Sequence, residues 1–193
     1  MALYDWAICT YDEFVDALTD QTVPDSERLL IERVINAVTD FVETYCGRRI
    51  KRRSDAVTEY PWSYGCKWIQ LAHPPVSVQE VYEDPDGEFG TDTLLDSDDY
   101  VVDEETGLIV KRKGKFPEGF KVVKVVYYGG FESVPEDLKD VGIQLAIDIY
   151  RRYKNRQVSV ESLSKRGVSA AFSPRPNAWQ REVLDSYRIW RVG

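Results

Sequence analysis

The spacing of apolar residues changes twice along the chain, and this change restricts the possible folds more than any other feature. After Pro24, apolar side chains recur at the i, i+3, i+4, i+7 spacing of one helix face: Leu30, Ile31, Val34, Ile35, Val38, Phe41, Val42 and Tyr45. Residues 57–129 instead alternate with a period of two in about five short runs, with no helical crossover between them. Helical spacing then returns at Leu138, Val141, Leu145, Ile149 and Tyr153. The pattern predicts an α+β fold, in which a helical bundle of long amphipathic helices carries an inserted antiparallel β subdomain, built as one sheet or a small barrel.

Local signals place the ends of several elements. Thr10 and Glu13 form a capping box that opens a short helix over residues 11–18. Gly47 supplies the stop of the long helix, and the segment Asp103–Gly107 has the composition of a hairpin turn. Asn177 caps a last short helix that carries Trp179, Val183, Leu184 and Tyr187.

Residues 155–177 follow neither period and are too long for an ordinary connection in a compact domain. With the last helix they predict an extended, basic C-terminal arm over residues 155–193. The expected organisation is N-terminal helices at 1–56, the β insertion at 57–130, a long helix at 131–154 that completes the helical core, and this arm.

The net charge of −8 conceals a strong segregation of charge along the chain. Residues 68–110 contain no lysine or arginine and twelve acids, whereas residues 151–193 contain ten bases and three acids. Segregation of this kind favours a polarised subunit whose two ends meet different partners.

Few residues are available for chemistry. His73 is the only histidine, and Cys9, Cys46 and Cys66 lack the paired spacing of a zinc or redox site, so buried free thiols are expected. We find neither a phosphate-binding glycine loop nor a nucleophile elbow, and the segment Asp84–Glu88 is more typical of a turn than of a calcium loop. We therefore expect no enzymatic activity, no metal and no cofactor.

The chain is also expected to avoid membranes and export. It has no run of roughly 20 apolar residues, the length that spans a bilayer. Acids occupy the N-terminal segment where a signal peptide carries bases. Assembly in the host cytoplasm is the expectation.

Five bases occupy six positions in the basic cluster of residues 48–53. They favour a helix end whose cations oppose the dipole, followed by an exposed strand edge. A nucleic-acid-binding module that uses this cluster and the basic arm is the alternative function, because lysine and arginine neutralise phosphates. A small hydrolase with an unrecognised acidic site is a third, less favoured reading, since no nucleophile–base pair is visible.

A series of short motifs resembles the head–tail connector (adaptor, or head completion) proteins of tailed double-stranded DNA phages. The helix end x-Glu-x-Tyr-x-Gly-Arg lies at 42–48, a strand–Pro-Val–strand at 71–78, and Tyr-x-Val-Asp … Gly-x-Ile at 100–109. Val-x-Tyr-x-Gly-Gly follows at 125–130 and Val-Pro-x-Asp-Leu at 134–138. Each motif is weak alone, but their order over residues 11–190 is similar to the family pattern, with Phe131 standing where the family has tyrosine.

The resemblance implies a structural role in the virion neck. Family members form a ring under the portal protein, extend the DNA channel and offer a platform to the next neck or tail-completion protein. The expected partners are therefore the portal, other copies of this chain in a twelvefold cyclic homo-oligomer, and passing double-stranded DNA without sequence-specific binding.

Two sets of residues are assigned to these contacts. The portal and subunit interface is expected at Trp179, Tyr187, Trp190, Lys165 and Arg166. Trp179 and Tyr187 have an alternative role, packing on the chain's own first long helix. The residues expected to face the DNA channel are Asp84, Asp86, Glu88, Asp98 and Asp99, with an outward, solvated acidic loop as the alternative.

Overall fold

The computed structural model describes residues 2–18, 23–155 and 174–189. Lys165, Arg166 and Trp190, three of the residues assigned to the interface, lie outside these ranges. The fold is α+β, as predicted, and contains helices together with antiparallel sheets. It divides into a helical unit, residues 1–50 with 133–193, and a β unit, residues 51–132.

Four α-helices make up the helical unit within the described residues: α1 (Tyr11–Ala17), α2 (Arg28–Cys46), α3 (Glu136–Asn155) and α4 (Ala178–Ser186). The predicted capping box opens α1, where the Thr10 hydroxyl oxygen accepts from the Glu13 N–H and the Glu13 carboxylate accepts from the Thr10 N–H. Gly47 ends α2 with φ of 70°, a conformation that favours glycine. Asn177 caps α4, again as a reciprocal box, with Gln180 as its partner.

The apolar faces of these helices form one core. Residues of α2 and α3 dominate it, with Ile31, Val34, Ile35, Val38, Val42, Leu138, Val141, Leu145 and Tyr150 all buried. Phe41 and Tyr45, which the periodicity placed on the buried stripe, are only partly buried, and Cys46 is fully buried beside them. The predicted stripe is therefore rotated slightly towards Cys46, because α4 packs over the last turn of α2.

The N-terminal segment crosses α3 at a glycine. A Cβ atom at Gly142 would lie 2.8 Å from Cδ1 and Cγ2 of Ile8, which is buried. The Ile8 N–H in turn donates to the Thr39 hydroxyl oxygen of α2 at 3.1 Å, so this segment is fixed from both sides. Glycine in the interior of α3 is thus explained by close packing.

We predict that Gly142→Ala lowers the melting temperature. Overpacking against Ile8 costs about 1–3 kcal/mol, more than the roughly 1 kcal/mol that alanine gains over glycine in helix propensity. Thermal unfolding followed by circular dichroism measures the difference. The substitution should cost less in an Ile8→Ala background, and an equal cost in both backgrounds would contradict the explanation.

Eight short strands form the β unit, and every pairing between them is antiparallel. They are β1 (Val57–Glu59), β2 (Ser63–Tyr64), β3 (Trp68–Gln70), β4 (Val76–Glu83), β5 (Tyr100–Asp103), β6 (Leu108–Lys111), β7 (Glu118–Gly119) and β8 (Val123–Gly129). They pair in three small sheets ordered β1–β8–β4, β2–β7 and β3–β6–β5. The sequence predicted β3, β4, β5, β6 and β8, and it missed β1, β2 and β7, which contain only two or three residues each.

A second core lies inside the β unit. Strand β8 alternates strictly, with Val123, Val125 and Tyr127 buried. They pack with Ile69, Leu71, Val76, Val81, Ile109 and Phe116. The hydroxyl of Tyr127 donates to the carboxylate of Glu59 on β1, so the one polar group of this buried ring is satisfied.

Candidate assembly surfaces

Helix α4 is docked on the helical unit. Leu184 is fully buried, and its carbonyl oxygen accepts from the Cys46 thiol at 3.6 Å. The Tyr45 hydroxyl donates to Asp185 at 2.8 Å, and the Ile189 N–H donates to the Cys46 carbonyl at 3.0 Å. The described residues 174–189 thus belong to the helical unit.

The two described aromatics assigned to the interface have different surroundings. Tyr187 is half-buried against the helical core, and its hydroxyl donates to Asp137 of α3 at 2.7 Å. Burial and this carboxylate raise the pKa of Tyr187 to about 12. Trp179 leaves 47% of its surface exposed. The contact with Asp137 packs Tyr187 within the chain on α3, whereas the alternative named the first long helix, and Trp179 remains about half exposed.

The acidic residues assigned to the channel also divide. Asp84 is buried, and its carboxylate accepts from the backbone N–H groups of Asp86, Glu88 and Phe89 at 2.9, 3.1 and 2.8 Å. Hydrogen bonds to the charged form, from Phe89 foremost, hold its pKa below the ordinary value. Asp84 therefore shapes its own loop, as the predicted turn requires. The other four residues, Asp86, Glu88, Asp98 and Asp99, are exposed.

We predict that Asp84→Asn destabilises the protein at neutral pH and flattens its response to acid. The folded-state pKa is depressed, so the carboxylate stabilises the fold above its ordinary pKa of 3.8 and loses this effect as the pH falls below that value. Melting temperatures measured from neutral to acid pH test this, with exposed Asp86→Asn as the control. An unchanged acid response in Asp84→Asn would contradict the role of the carboxylate.

The basic cluster of residues 48–53 is partly engaged inside the protein. Arg48 is half-buried, and burial lowers its pKa. Arg52 pairs with Glu132 at 2.9 Å, and its N–H donates to the Phe131 carbonyl oxygen. These contacts give two of the five bases structural roles, which weakens the case for a row of phosphate contacts.

Sequence reasoning missed an exposed aromatic surface on the β unit, which we define as Tyr60, Trp62, Tyr64, Phe120 and Lys121. The Trp62 ring stacks on Phe120 with centroids 5.8 Å apart and contacts Tyr64 at 6.3 Å. The Lys121 ammonium lies 5.6 Å from the ring centroids of both Tyr60 and Phe120. The exposed aromatics at positions 60, 62 and 64 alternate with buried Pro61 and Ser63, so this alternation was the available signal.

A second apolar area, which we call the sheet surface, covers the solvent face of the sheet β3–β6–β5. Trp68 of β3 lies opposite Val110 of β6, which lies opposite Val101 of β5. Trp68 is 52% and Val101 46% exposed, while the neighbouring row on the other face, Ile69 with Ile109, is buried. The sheet therefore has a row of apolar side chains on each face. The row that contains Ile69 is buried, and the row that contains Trp68 is exposed to solvent.

Neither a metal site nor a membrane span is found among residues 2–18, 23–155 and 174–189. These ranges contain no group of three or more histidine, cysteine, aspartate or glutamate residues arranged for a metal ion. Their helices are also too polar or too short to cross a bilayer.

Comparison with known proteins gives matches among solved structures. No family of sequences and no curated protein matches the chain. A chain in "Neck of empty GTA particle computed with C6 symmetry" matches with a TM-score of 0.64 and 18% identity, covering 100% of this chain and 95% of that one. A chain in "Neck of native GTA particle computed with C12 symmetry" matches with a TM-score of 0.59 and 16% identity, covering 94% and 88%.

A chain in "Virion of native gene transfer agent (GTA) particle" matches with a TM-score of 0.64 and 17% identity, covering 100% of this chain and 94% of that one. This chain shares their fold. At such identities the likeness concerns the fold, and it extends over the helical unit and the β unit alike. The fold agrees with the resemblance to head–tail connector proteins that the motifs indicated.

Proposed function

We propose that this protein is a structural subunit of the neck of a tailed, phage-like particle, where it forms a head–tail connector ring. The observation that carries the proposal is a fold shared over the whole chain with chains from neck structures of C6 and C12 symmetry. The ordered motifs at 42–48, 71–78, 100–109 and 125–138 support the same assignment independently.

The proposal gives the chain no catalytic role and no cofactor. Burial raises the pKa of the Cys9 thiol to about 12 and that of the Cys46 thiol to about 11. A thiol that stays protonated at neutral pH is a poor nucleophile. The chain's inventory of side chains thus suits assembly better than chemistry.

In the proposed ring, the subunit docks under the portal, extends the DNA channel and supports the next neck or tail-completion protein. The exposed Trp179 on α4 is the anchor we assign to the portal, because tryptophan is enriched at positions that dominate interface energy. Trp190, Lys165 and Arg166 are assigned to the same contact on sequence grounds.

The exposed acids Asp86, Glu88, Asp98 and Asp99 are assigned to the channel wall or its mouth. Negative walls keep a passing polyanion from sticking, since each unopposed base would add affinity for phosphate. A structure of the assembled ring with these four side chains on its outer perimeter would exclude this assignment and leave the solvated-loop alternative.

We predict that Trp179→Ala weakens binding to purified portal protein about 30-fold or more while leaving the melting temperature nearly unchanged. Leu29→Ala is the matched control, because Leu29 is an exposed apolar side chain of the same unit outside the proposed contact. Biolayer interferometry with immobilised portal measures both. Equal binding by the wild type and Trp179→Ala would remove Trp179 from the interface.

Point substitution tests this contact more cleanly than deletion of residues 176–193. The deletion removes buried Leu184 and uncovers the end of α2, so it would disturb the fold. Loss of portal binding by the truncated chain would then have two explanations.

We predict that the double substitution Lys165→Glu and Arg166→Glu slows assembly on the portal, and slows it more at low salt. Complementary charges accelerate the encounter between the subunit and the portal, and dissolved salt screens the attraction between those charges. Stopped-flow light scattering over a range of salt concentrations measures the rate. A rate that is unaffected at every salt concentration would exclude these bases from the encounter.

Salt dependence also separates the connector from the nucleic-acid-binding alternative. A module that neutralises several phosphates binds DNA with a steep dependence on salt concentration. Tight DNA binding with such a slope, together with failure to join a portal, would favour the alternative.

A further inference from the structure

Two exposed apolar areas lie on the β unit, the aromatic surface and the sheet surface. The four rings of the aromatic surface are between 37% and 61% exposed. Large apolar areas that stay uncovered in a soluble protein usually mark an interaction site. The two areas share no residue and are two separate candidate contact areas.

The aromatic surface is held in place by unusual backbone geometry. Among the described residues, only Phe89 and Lys121 have a positive φ without being glycine, at 55° and 57°. The Phe89 ring packs on Tyr60 with centroids 5.6 Å apart, and Lys121 contacts the rings of Tyr60 and Phe120. A side chain in this region of conformational space costs on the order of 1 kcal/mol or more. Both strained residues therefore support the same exposed cluster.

The two surfaces differ in charge. Lys121 of the aromatic surface is exposed, and the Lys124 ammonium lies 5.3 Å from the ring centroid of Phe89, which packs on Tyr60. Glu118 is the acid that lies opposite Tyr64. The sheet surface continues along β5 into Asp103, and Glu104 and Glu105 follow directly, all three exposed. The exposed Lys121 ammonium of the aromatic surface and these three carboxylates beside the sheet surface are complementary in charge.

We propose that the aromatic surface of one copy of this chain packs on the sheet surface of the next copy. This inference rests on the proposed ring and names the surfaces that build it. A ring needs a heterologous contact, in which one face of a subunit meets a different face of its neighbour. Opposite charges fix the register of that contact, and Trp62 and Trp68 are its apolar centres.

The available area suits such a contact. Each half-exposed ring of the aromatic surface offers on the order of 100 Å². The four rings then supply about half of the roughly 800 Å² that each partner buries in a specific interface. The charged residues around them provide the polar rim that interfaces of this size have.

The first test measures self-association of the full-length protein by sedimentation velocity over a concentration series, with and without purified portal. Trp62→Ala and Trp68→Ala should each weaken the contact between copies about 30-fold or more. Leu29→Ala is the matched control, because Leu29 is an exposed apolar side chain outside both surfaces, and should leave it unchanged. Melting temperatures identify any variant that fails because it is unfolded.

A charge exchange tests the pairing without removing any ring. One variant carries Lys121→Glu on the aromatic side, and the other carries Glu104→Lys with Glu105→Lys on the sheet side. Each variant alone brings like charges together at every contact and should assemble at least 10-fold more weakly than the wild type. Mixed in equal amounts, the two restore opposite charges at every contact, so native mass spectrometry should detect rings of alternating 1:1 composition.

Cross-linking locates the contact directly. In a mixture of isotopically labelled and unlabelled wild-type protein, a zero-length carbodiimide should join Lys121 of one copy to Glu104 or Glu105 of another. Links between copies that occur only elsewhere would overturn the proposal.

The outcomes separate this inference from the proposed function. Rings that form normally in all four variants would overturn the surfaces and leave the neck assignment standing. A wild-type protein that stays monomeric both alone and with portal would overturn both. Variants that lose binding to portal or DNA but assemble normally would show that the occupant is not a second copy.

Discussion

Mutual burial of the apolar faces of α2 and α3 is the constraint on which the rest of the structure depends. The two helices are separated in sequence by residues 51–132, yet their buried side chains belong to one core. The intervening chain must therefore leave and return at nearly the same place. It does so by pairing its own ends, with Lys51 bridged to Phe131 and the Arg52 N–H bonded to the Phe131 carbonyl oxygen. The residues between these paired ends form the second core, that of the β unit.

Elements with a long periodic pattern of apolar residues could be predicted from the sequence, whereas the shortest strands could not. Helices α2 and α3 and strand β8 were predictable because each buries a regular face over many residues. The caps at Thr10, Gly47 and Asn177 were predictable because one residue type satisfies the local geometry. The short strands β2 and β7 were not, since their two residues each are placed by pairing and not by a pattern.

The surfaces were less accessible to sequence reasoning than the fold. Asp84 and Asp86 look alike in sequence, but one carboxylate organises a loop and the other faces solvent. Tyr187 and Trp179 are both aromatic residues of the last helical segment, and only their packing separates a core contact from an exposed ring. The aromatic surface depends on Phe120 meeting Trp62 across a ribbon, which is a tertiary contact. In each case the role of the side chain depended on tertiary contacts, which the residue type alone does not reveal.

The adjacency of the two ends of the β unit has a consequence for the proposed assembly. Because Lys51 is bridged to Phe131, the two ends of the β unit lie side by side, and a different β unit with the same end spacing would fit the same two positions in the chain. In the proposed assembly the β unit holds both halves of the contact between subunits, whereas the helical unit holds the anchor for the portal. In that proposed assembly the contact between subunits could change with the β unit while the proposed contact with the portal stayed the same.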